Sequence, residues 1–243
     1  MLRRLKNRKA FFFWAIMPFF LFWGTISVPN HGLAQSQEIE RVETAIQVVR
    51  EIVDLPEEGI PEALLRNTYG IAIIPGVIKA AYVLGGQYGK GVIMLREKGG
   101  SWSNPCFITL AGGSLGWQIG VQKTDIVLVF KSGKSVENIT QGKITLGADV
   151  SVTAGPVGRR AEASTDVEFE AEIYSYSKSK GLFAGVSVQG ASISIDHDAN
   201  QNFYDRRGLS ASDILRGKKM DAPSVAERLR MLIGKYTKTG RYV

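Results

Sequence analysis

The spacing of hydrophobic residues changes twice along the chain. Residues 36–54 carry apolar side chains at intervals of three and four, which predicts an amphipathic helix with an acidic outer face. From Ile71 to Ile195 the apolar positions mostly alternate, which predicts β-strands. The helical spacing then returns, and Ser224 and Glu227 have the separation of a capping box. The pattern therefore predicts helix, then sheet, then helix.

A second, shorter helix is predicted between the first helix and the sheet. Pro61 is suited to the first helical position because its missing N–H would have no partner there. Gly70 is the expected stop, since glycine commonly ends a helix.

Three segments alternate clearly between apolar and polar or small residues. Residues 144–152 place Ile144, Leu146, Ala148, Val150 and Val152 on one face of a predicted strand. Residues 115–121 and 167–173 show the same alternation. Each is expected to be a strand with one face towards solvent.

Two other segments, 70–74 and 125–130, are apolar at nearly every position, which predicts strands buried on both faces. Between Val186 and Ile195 the apolar phase shifts by one residue, and a turn or bulge near Gly190 would explain the shift. Eight or more closely spaced strands with little helix between them favour an α+β fold. We expect a curved, largely antiparallel, barrel-like or sandwich-like core with peripheral helices at the N- and C-termini.

The first 34 residues have the composition of a targeting segment. Five basic residues precede an apolar run, and small residues end the segment at Ala34. This predicts a signal peptide over residues 1–34, cleaved after Ala34, and a single domain over residues 35–243. The alternative is an uncleaved membrane anchor, which Pro18 disfavours because it interrupts the apolar run. We therefore expect a periplasmic or secreted protein.

Removal of this segment changes the charge. The net charge of +7 falls to +2, because residues 1–34 contain five cations and no acid. A dense basic face for nucleic acid is therefore not expected. Cys106 is the only cysteine, and His197 is the only histidine after residue 34, which excludes a Cys/His zinc cluster. No metal site and no cofactor are predicted.

The sequence Gly133-Lys134-Ser135 follows an apolar strand, as in a phosphate-binding loop. A Walker loop also needs a glycine five positions before Gly133, where this chain has Leu128. Residues 85–92 are a second near match with one residue too few. No nucleotide site is predicted.

Residues 112–116 match the nucleophile-elbow pattern around Ser114, with His197 as the candidate base. An elbow passes from a strand into a helix, whereas the residues after Ser114 alternate as a strand. A serine hydrolase is therefore a weaker alternative, and no catalytic residue is assigned. The aspartates that could complete a triad are Asp149, Asp166 and Asp196.

Residues 196–202 place carboxylates and amides at alternate positions, like the start of a calcium loop. Gln201 stands where the loop needs glycine, and Arg207 stands where it needs a bidentate glutamate. An ordinary turn rich in Asp and Asn is the preferred interpretation.

Tyrosines and lysines alternate over residues 174–180, and two arginines are adjacent at 159–160. Tyrosine with lysine suits a wet anionic surface such as lipid headgroups, although each residue alone also fits a solvated strand end. We expect the tyrosines to lie at the headgroup level. The candidate lipid contacts are Lys178, Lys180, Arg159, Arg160, Tyr174 and Tyr176.

Several glycine-rich segments occur in a characteristic order, and together they resemble the SYLF family of lipid-binding domains. This family includes the actin-binding region of a yeast actin-patch protein. The resemblance covers about residues 40–217. The segments that carry it are 70–92, 102–130, 146–159, 174–190 and 200–205.

The resemblance implies a single non-enzymatic domain that binds anionic lipid, with phosphoinositides as ligands in eukaryotic members and actin binding in some. The predicted signal peptide suggests a secreted, bacterial-type member, which would not meet actin. The acidic face of residues 36–54 also disfavours contact between this helix and anionic lipid. The alternative from another class is a structural or protein-interaction module of the cell envelope, with an unknown protein partner.

Overall fold

The computed structural model shows how the predicted helices and strands pack together. Six helices and nine strands are found within the described residues. The structure describes residues 31–53, 55, 59–81, 85–114, 120–158, 170–179, 181–217 and 220–239. The helices are α1 (His31–Val53), α2 (Glu62–Arg66), α3 (Gly133–Thr140), α4 (His197–Tyr204), α5 (Ala211–Arg216) and α6 (Ser224–Thr239). The strands are β1 (Gly70–Ala81), β2 (Gly85–Leu95), β3 (Cys106–Ser114), β4 (Gly120–Phe130), β5 (Lys143–Thr145), β6 (Val152–Ala154), β7 (Ile173–Ser179), β8 (Leu182–Gly185) and β9 (Ala191–Ile195).

These strands form one curled sheet in the order β5-β9-β3-β2-β1-β4-β7-β6, and β8 also pairs with β7. All the pairings are antiparallel except that of β6 with β7. Ile144 on β5 and Val152 on β6 lie at opposite edges, yet both belong to one buried cluster. The sheet therefore curls around its own core, which confirms the predicted α+β fold with a curved, largely antiparallel sheet.

Each face of the sheet has its own hydrophobic cluster. The inner face packs around side chains from both edges, together with α3 and α5. The outer face packs beneath α1, α2, α4 and α6. Residues 71–74 of β1 and 126–130 of β4 are all buried, because these central strands are covered on both faces. Their prediction as doubly buried strands is confirmed.

A bulge at Gly76 divides β1 into two parts. The pairing registers with β2 and β4 both shift across this position. Gly76 has φ +59, a left-handed conformation that glycine adopts easily, and its N–H donates to the Asp125 carboxylate at 2.8 Å. Beyond the bulge, Val77 and Lys79 lie on the inner face, whereas Ile78 lies on the outer face.

The prediction of one strand over residues 144–152 is wrong. β5 ends at Thr145, and a turn follows in which Gly147 has φ +86. Ile144 and Val150 are buried as expected, but Ala148 is exposed in the turn. The apolar residues on either side of the turn are therefore buried because the chain bends back, and not because they share one face of a single strand.

Gly190 has φ +80 and lies in the turn before β9, which confirms the turn predicted from the change of apolar phase. The predicted strands at 115–121 and 167–173 lie largely outside the described residues. The structure describes only residues 120–121 of the first and 170–173 of the second.

Two helix boundaries also differ from prediction. Pro61 is the N-cap of α2, not its first helical residue, and Gly70 begins β1 after the helix has ended. A capping box lies at the start of α5, where the Ser210 hydroxyl accepts from the Asp213 N–H and the Asp213 carboxylate accepts from the Ser210 N–H, both at 3.1 Å.

Candidate binding surface at the open rim of the sheet

Gly133-Lys134-Ser135 forms the first turn of α3. Ser132 caps this helix, accepting a hydrogen bond from the Ser135 N–H at 3.3 Å. Gly133 lies against the ring of Tyr69, and a Cβ there would come within 2.9 Å of that ring. The segment is a capped strand-to-helix connection and not a phosphate-binding loop.

The serine-hydrolase alternative fails on distance. Ser114 is the last residue of β3, and Ile108, six residues earlier, pairs with Ile195 just before His197. At 3.3 Å per residue, six residues separate Ser114 from the level of Ile195 by about 20 Å. The Asp196 carboxylate accepts hydrogen bonds from Lys90 and the Ala199 N–H. It is therefore occupied by partners other than His197.

Residues 197–202 are helical, so they do not form a calcium loop. Asp196 is the N-cap of α4, which explains the Asp-rich sequence as a helix start. Within the described part of the chain, His, Cys, Asp and Glu residues form no cluster of three or more that could hold a metal ion.

Two of the predicted lipid contacts, Tyr174 and Tyr176, are buried in the outer-face core. The Tyr176 hydroxyl donates to the Pro156 carbonyl at 3.2 Å, and its ring stacks on Phe183 with 5.3 Å between centroids. The Tyr174 hydroxyl accepts from the Ala171 N–H at 3.2 Å. Burial raises the pKa of both phenols. Their predicted position at the headgroup level is therefore corrected.

Both faces of β7 are covered, so the alternation of tyrosine with serine does not mark a face towards solvent. Ser175 and Ser177 take the inner face, and the Ser175 hydroxyl donates to the Thr153 carbonyl at 3.0 Å. Serine can be buried when the backbone satisfies its hydroxyl, so a polar residue in a strand does not have to mark the wet face.

Lys178 follows the tyrosines on the outer face, and its ammonium pairs with Glu51 of α1. Its side chain is only 16% exposed. Lys180, Arg159 and Arg160 lie outside the described residues. The role of these four cations in lipid binding therefore stays a prediction.

The structure reveals an exposed surface beyond the bulge, which we call the open rim. It consists of the ends of β1 to β4, residues 78–81, 85–88, 111–114 and 120–123. α1 crosses the outer face near the bulge, where Arg41 lies 3.8 Å from Asp196 and Glu51 meets Lys178. The strand ends extend past this helix.

Apolar side chains on the outer face of the open rim are exposed to solvent. Ile78 pairs across β1 and β2 with Tyr88, and Ala80 pairs with Val121 on β4. Ile78 and Tyr88 are half exposed, and Val121 is 74% exposed. Leu182, which begins β8 at the same end, is 75% exposed and faces the inner side, because it pairs with Ser179. The rim therefore carries exposed apolar side chains where a soluble strand would normally have polar residues.

The charge of the open rim is positive. Its four segments contain Lys79 and Lys123 and no acidic residue. Lys123 is exposed, whereas Lys79 is half-buried on the inner face, and burial lowers the pKa of Lys79. At the base of the rim the hydrogen bond to Asp196 raises the pKa of Lys90. The rim thus combines exposed apolar groups with cations.

Sequence analysis did not detect this patch because its alternating apolar residues match those of the covered strands. The density of glycine in residues 85–92 and 112–116 was the nearest available signal. Glycine content alone does not reveal where the covering helices end.

A cleft of about 1030 Å³ lies at the opposite end of the sheet, beside Tyr69, Arg96 and Arg216. A second cleft, of about 500 Å³, adjoins it and is lined by Trp102 and Met231. Tyr69 and Met231 are exposed. Some of the cations that line these clefts are paired with acidic residues of the same clefts: Arg216 lies 3.5 Å from Glu137, and Arg230 pairs with Glu227.

None of the helices in the described part of the chain is long and apolar enough to cross a membrane.

Comparison with known proteins relates this fold to a defined family. The yeast Saccharomyces cerevisiae protein YSC84 is 42% identical over 179 residues, which cover 72% of this chain and 38% of that protein. Yeast LAS seventeen-binding protein 3 is 41% identical over the same length, covering 72% and 39%. The rat SH3 domain-containing YSC84-like protein 1 is 32% identical over 199 residues, covering 79% and 58%.

The matched region thus spans about two fifths of the yeast relatives and less than two thirds of the rat protein. A family model described as "Ysc84: Las17-binding protein actin regulator" matches residues 111–236, more than half of the chain. These matches confirm the resemblance to SYLF proteins. The chain belongs to the Ysc84 (SYLF) family.

Proposed function

We propose that this protein binds anionic phospholipid surfaces through the open rim, without catalysing a reaction. The observation that carries the proposal is the combination of exposed apolar side chains and lysines on strand ends that have no acidic residue. Apolar groups can enter the headgroup region while the lysines meet its negative charge. The buried tyrosines are not part of this mechanism.

The acidic helix α1 does not oppose this orientation. Three of its four glutamates are paired with cations of the same protein: Glu38 with Arg41, Glu43 with Arg228 and Glu51 with Lys178. The helix also crosses the sheet at the base of the rim. Most of the negative charge that argued against lipid binding is therefore locally neutralised.

The expected attachment is reversible. A basic residue near an anionic leaflet contributes about 1 kcal/mol, so Lys79 and Lys123 alone would provide about 2 kcal/mol. Burial of Val121 and Leu182 would add to this. We retain Lys178, Lys180, Arg159 and Arg160 as supporting contacts on the sequence pattern alone.

We further propose that the protein acts in the periplasm or outside the cell, at a membrane surface, after cleavage following Ala34. Expression of the full chain, followed by fractionation and mass measurement of the N-terminus, tests this location. A mature N-terminus at Gln35 is expected. An intact N-terminus in the membrane fraction would indicate an anchor instead.

Vesicle flotation tests the lipid proposal directly. The protein should float with vesicles containing phosphatidylglycerol and remain in solution with neutral phosphatidylcholine vesicles. Val121→Ser combined with Leu182→Ser should reduce binding by removing the apolar contacts. Lys123→Glu should weaken it further and reduce its salt dependence, because one electrostatic attraction is lost.

Matched variants at the other end of the fold provide the control. Met231→Ser and Lys134→Glu change an exposed apolar residue and an exposed lysine away from the rim. They should leave flotation unchanged. Equal flotation with charged and neutral vesicles, or equal loss from both sets of variants, would contradict the proposal.

A protein-interaction module is the second candidate. Two observations favour it: relatives are named for binding Las17, and the clefts beside Tyr69 and Met231 offer exposed side chains away from the rim. A stoichiometric complex with a partner protein that Tyr69→Ala or Met231→Ala abolishes, without vesicle binding by the native chain, would support this candidate over the first.

A further inference from the structure

One side chain on the inner face of the open rim is buried without a partner. Gln87 is only 6% exposed, and its Oε1 accepts no hydrogen bond from the described residues. A buried polar atom without a partner is unfavourable, and native proteins retain few of them. The Gln87 Oε1 therefore lacks a donor that a ligand could supply.

A cation lies directly beside this glutamine. Lys79 is the cross-strand partner of Gln87 in the β1–β2 register, so the two side chains share the inner face. The half-buried Lys79 ammonium has no ion pair or hydrogen bond with the described residues. The four segments of the rim contain one other cation, Lys123, which lies on the outer face, and no acid. Their inner face therefore presents a single positive charge.

These side chains form a row that is open at one end and closed at the other. Lys79 also pairs in register with Gln122 on β4, which is exposed. The row therefore passes from exposed Gln122 through half-buried Lys79 to buried Gln87. Beyond Gln87 it ends at Gly112, where an added Cβ would lie 2.5 Å from the Cα of Ala191. A row of this kind fits the end of a ligand and not its middle.

The single lysine of the row suits a ligand end with one negative charge. Excess charge is costly in a half-buried position, because it is poorly hydrated there. A phosphate monoester carries about −1.5 to −2 near neutral pH, which one lysine does not balance. A phosphodiester carries one charge, but it continues on both sides and does not end a ligand. A carboxylate has one charge and is a terminal group.

The orphan oxygen of Gln87 requires a donor close to that carboxylate. At the C-terminus of a polypeptide, the last amide N–H lies on the same carbon atom as the carboxylate. The carboxylate can therefore accept from the Lys79 ammonium while this N–H donates to the Gln87 Oε1. Gln122 follows at the open end, and its carboxamide contains a donor and an acceptor, as a peptide group does. The row thus matches the end of an extended polypeptide.

An exposed apolar side chain lies farther along the same face. Leu182 on β8 faces the inner side and is 75% exposed. β4 and β7 separate β1 from β8, so Lys79 and Leu182 are about 14 Å apart along the sheet. An extended chain covers that distance in about four residues at about 3.3 Å per residue. Leu182 is therefore placed to contact an apolar side chain about four residues before the chain end.

We propose that the inner face of the open rim binds the C-terminal end of an extended polypeptide. Lys79 holds its carboxylate, Gln87 accepts a hydrogen bond from its last amide N–H, and Leu182 contacts an apolar residue about four positions upstream. The partner is accordingly a protein with an accessible C-terminus. This site does not rest on the proposed function, because membrane binding and peptide binding are measured separately.

Two pools of hexapeptides test the proposal. Both contain the same random sequences, but one pool ends in a carboxylate and the other in a carboxamide. Each is captured on the immobilised native protein and quantified by mass spectrometry. We expect the carboxylate pool to bind about tenfold better, because a hydrogen bond between charged groups is lost in the amide. Captured peptides should be enriched in apolar residues about four positions from the end. Equal capture of the two pools, or capture of neither, overturns the proposal.

Two variants locate the contacts. Lys79→Met should capture both pools equally. The most enriched peptide is then synthesised with its last amide N-methylated, which removes the donor. Wild type should bind this form about fivefold more weakly, whereas Gln87→Leu should not distinguish the two forms. Lys143→Met removes an exposed lysine from β5 and should keep the carboxylate preference. A preference retained by Lys79→Met, or a methylation effect retained by Gln87→Leu, overturns the assignment.

Urea denaturation shows whether these variants remain folded. Gln87→Leu should be at least as stable as wild type, because it removes an unpaired polar atom from a buried position. Gln87→Met, which keeps the length of the side chain, and Lys79→Gln, which keeps a polar group, provide second variants if the first ones disturb packing.

Competition and flotation separate this site from other anion binding. Glycerol 1-phosphate at the concentration of the selected peptide should not displace it, and displacement as effective as that by unlabelled peptide would overturn the assignment to a polypeptide end. If the native protein captures carboxylate peptides but does not float with anionic vesicles, only the membrane proposal fails. If it floats and captures neither pool, only the peptide site fails.

Discussion

The central strands differ along their own length. Residues 126–130 of β4 are covered on both faces and fully buried, whereas residues 121–123 of the same strand are exposed. β1 behaves in the same way on the two sides of Gly76. The covered half is closed by helices and by the curl of the sheet, while the open rim extends beyond α1.

The difference shows that an apolar residue in a strand has no fixed role. In the covered half it contributes to the free energy of unfolding by leaving water. At the open rim the same type of residue remains in contact with water, so it contributes little to stability and remains available for binding. Substitutions that match residue type between the two halves therefore test the distinction.

The largest contrast is expected between two glycines of β2. A Cβ at Gly91 would lie 2.2 Å from the carbonyl oxygen of Ile73, so Gly91→Ala would force backbone strands apart. We expect a loss of about 3 kcal/mol in the free energy of unfolding. Gly86→Ala at the rim meets its nearest atom at 4.0 Å and should cost much less. Urea denaturation of both variants measures this, and equal losses would remove the contrast.

Two valines on the outer face of β4 give the next contrast. Val127 is 2% exposed and Val121 is 74% exposed. Val127→Ala should lower the free energy of unfolding by about 2 kcal/mol, because it removes two buried methyl groups. Val121→Ala should change it by less than about 0.5 kcal/mol, yet weaken vesicle binding. Similar stability losses from the two variants would show that the rim is covered in solution.

Tyr176 tests the corrected position of the predicted lipid contacts. Tyr176→Phe removes the hydroxyl that donates to Pro156 but keeps the ring against Phe183. The expected loss is about 1 kcal/mol in the free energy of unfolding, with no change in vesicle affinity. A large loss of vesicle binding by this folded variant would indicate that the Tyr176 hydroxyl contacts lipid.

A charge pair at the base of the rim should give the smallest effect, and one that depends on pH. Burial alone would raise the pKa of Asp196, but the hydrogen bonds from Lys90 and the Ala199 N–H outweigh it and hold that pKa below its usual value. Asp196→Asn keeps an N-cap residue and removes the charge, so we expect a loss of about 0.5–1 kcal/mol at pH 7.

The direction of the pH effect follows from the lowered pKa. The contribution of Asp196 is complete above the unfolded pKa of about 3.9 and is lost as pH falls through the lower folded value. The difference between wild type and variant should therefore shrink below about pH 4 in urea titrations. Burial raises the pKa of nearby Glu38, and the charge of Asp196 raises it too, so Asp196→Asn also relieves this repulsion and offsets part of the loss at pH 7. A difference that grows in acid would contradict this assignment.

Several features could be predicted from local sequence alone. The continuous apolar runs in β1 and β4 identified the strands that are buried on both faces, and the phase change near Gly190 identified a turn. These predictions succeeded because each depends on neighbouring residues and on the regular geometry of one strand or one turn.

The sequence by itself determined that this chain has a helix, a glycine-rich curved sheet and a further helix, because hydrophobic spacing and turn residues act locally. Only the tertiary structure decided that Tyr174 and Tyr176 are core residues, that Lys178 pairs with Glu51, and that Ile78, Tyr88 and Val121 form an exposed patch. It also placed Lys79 beside the unpaired Gln87. The physical reason is that exposure and pairing depend on which distant segment covers a strand, and α1 covers the outer face only as far as the bulge.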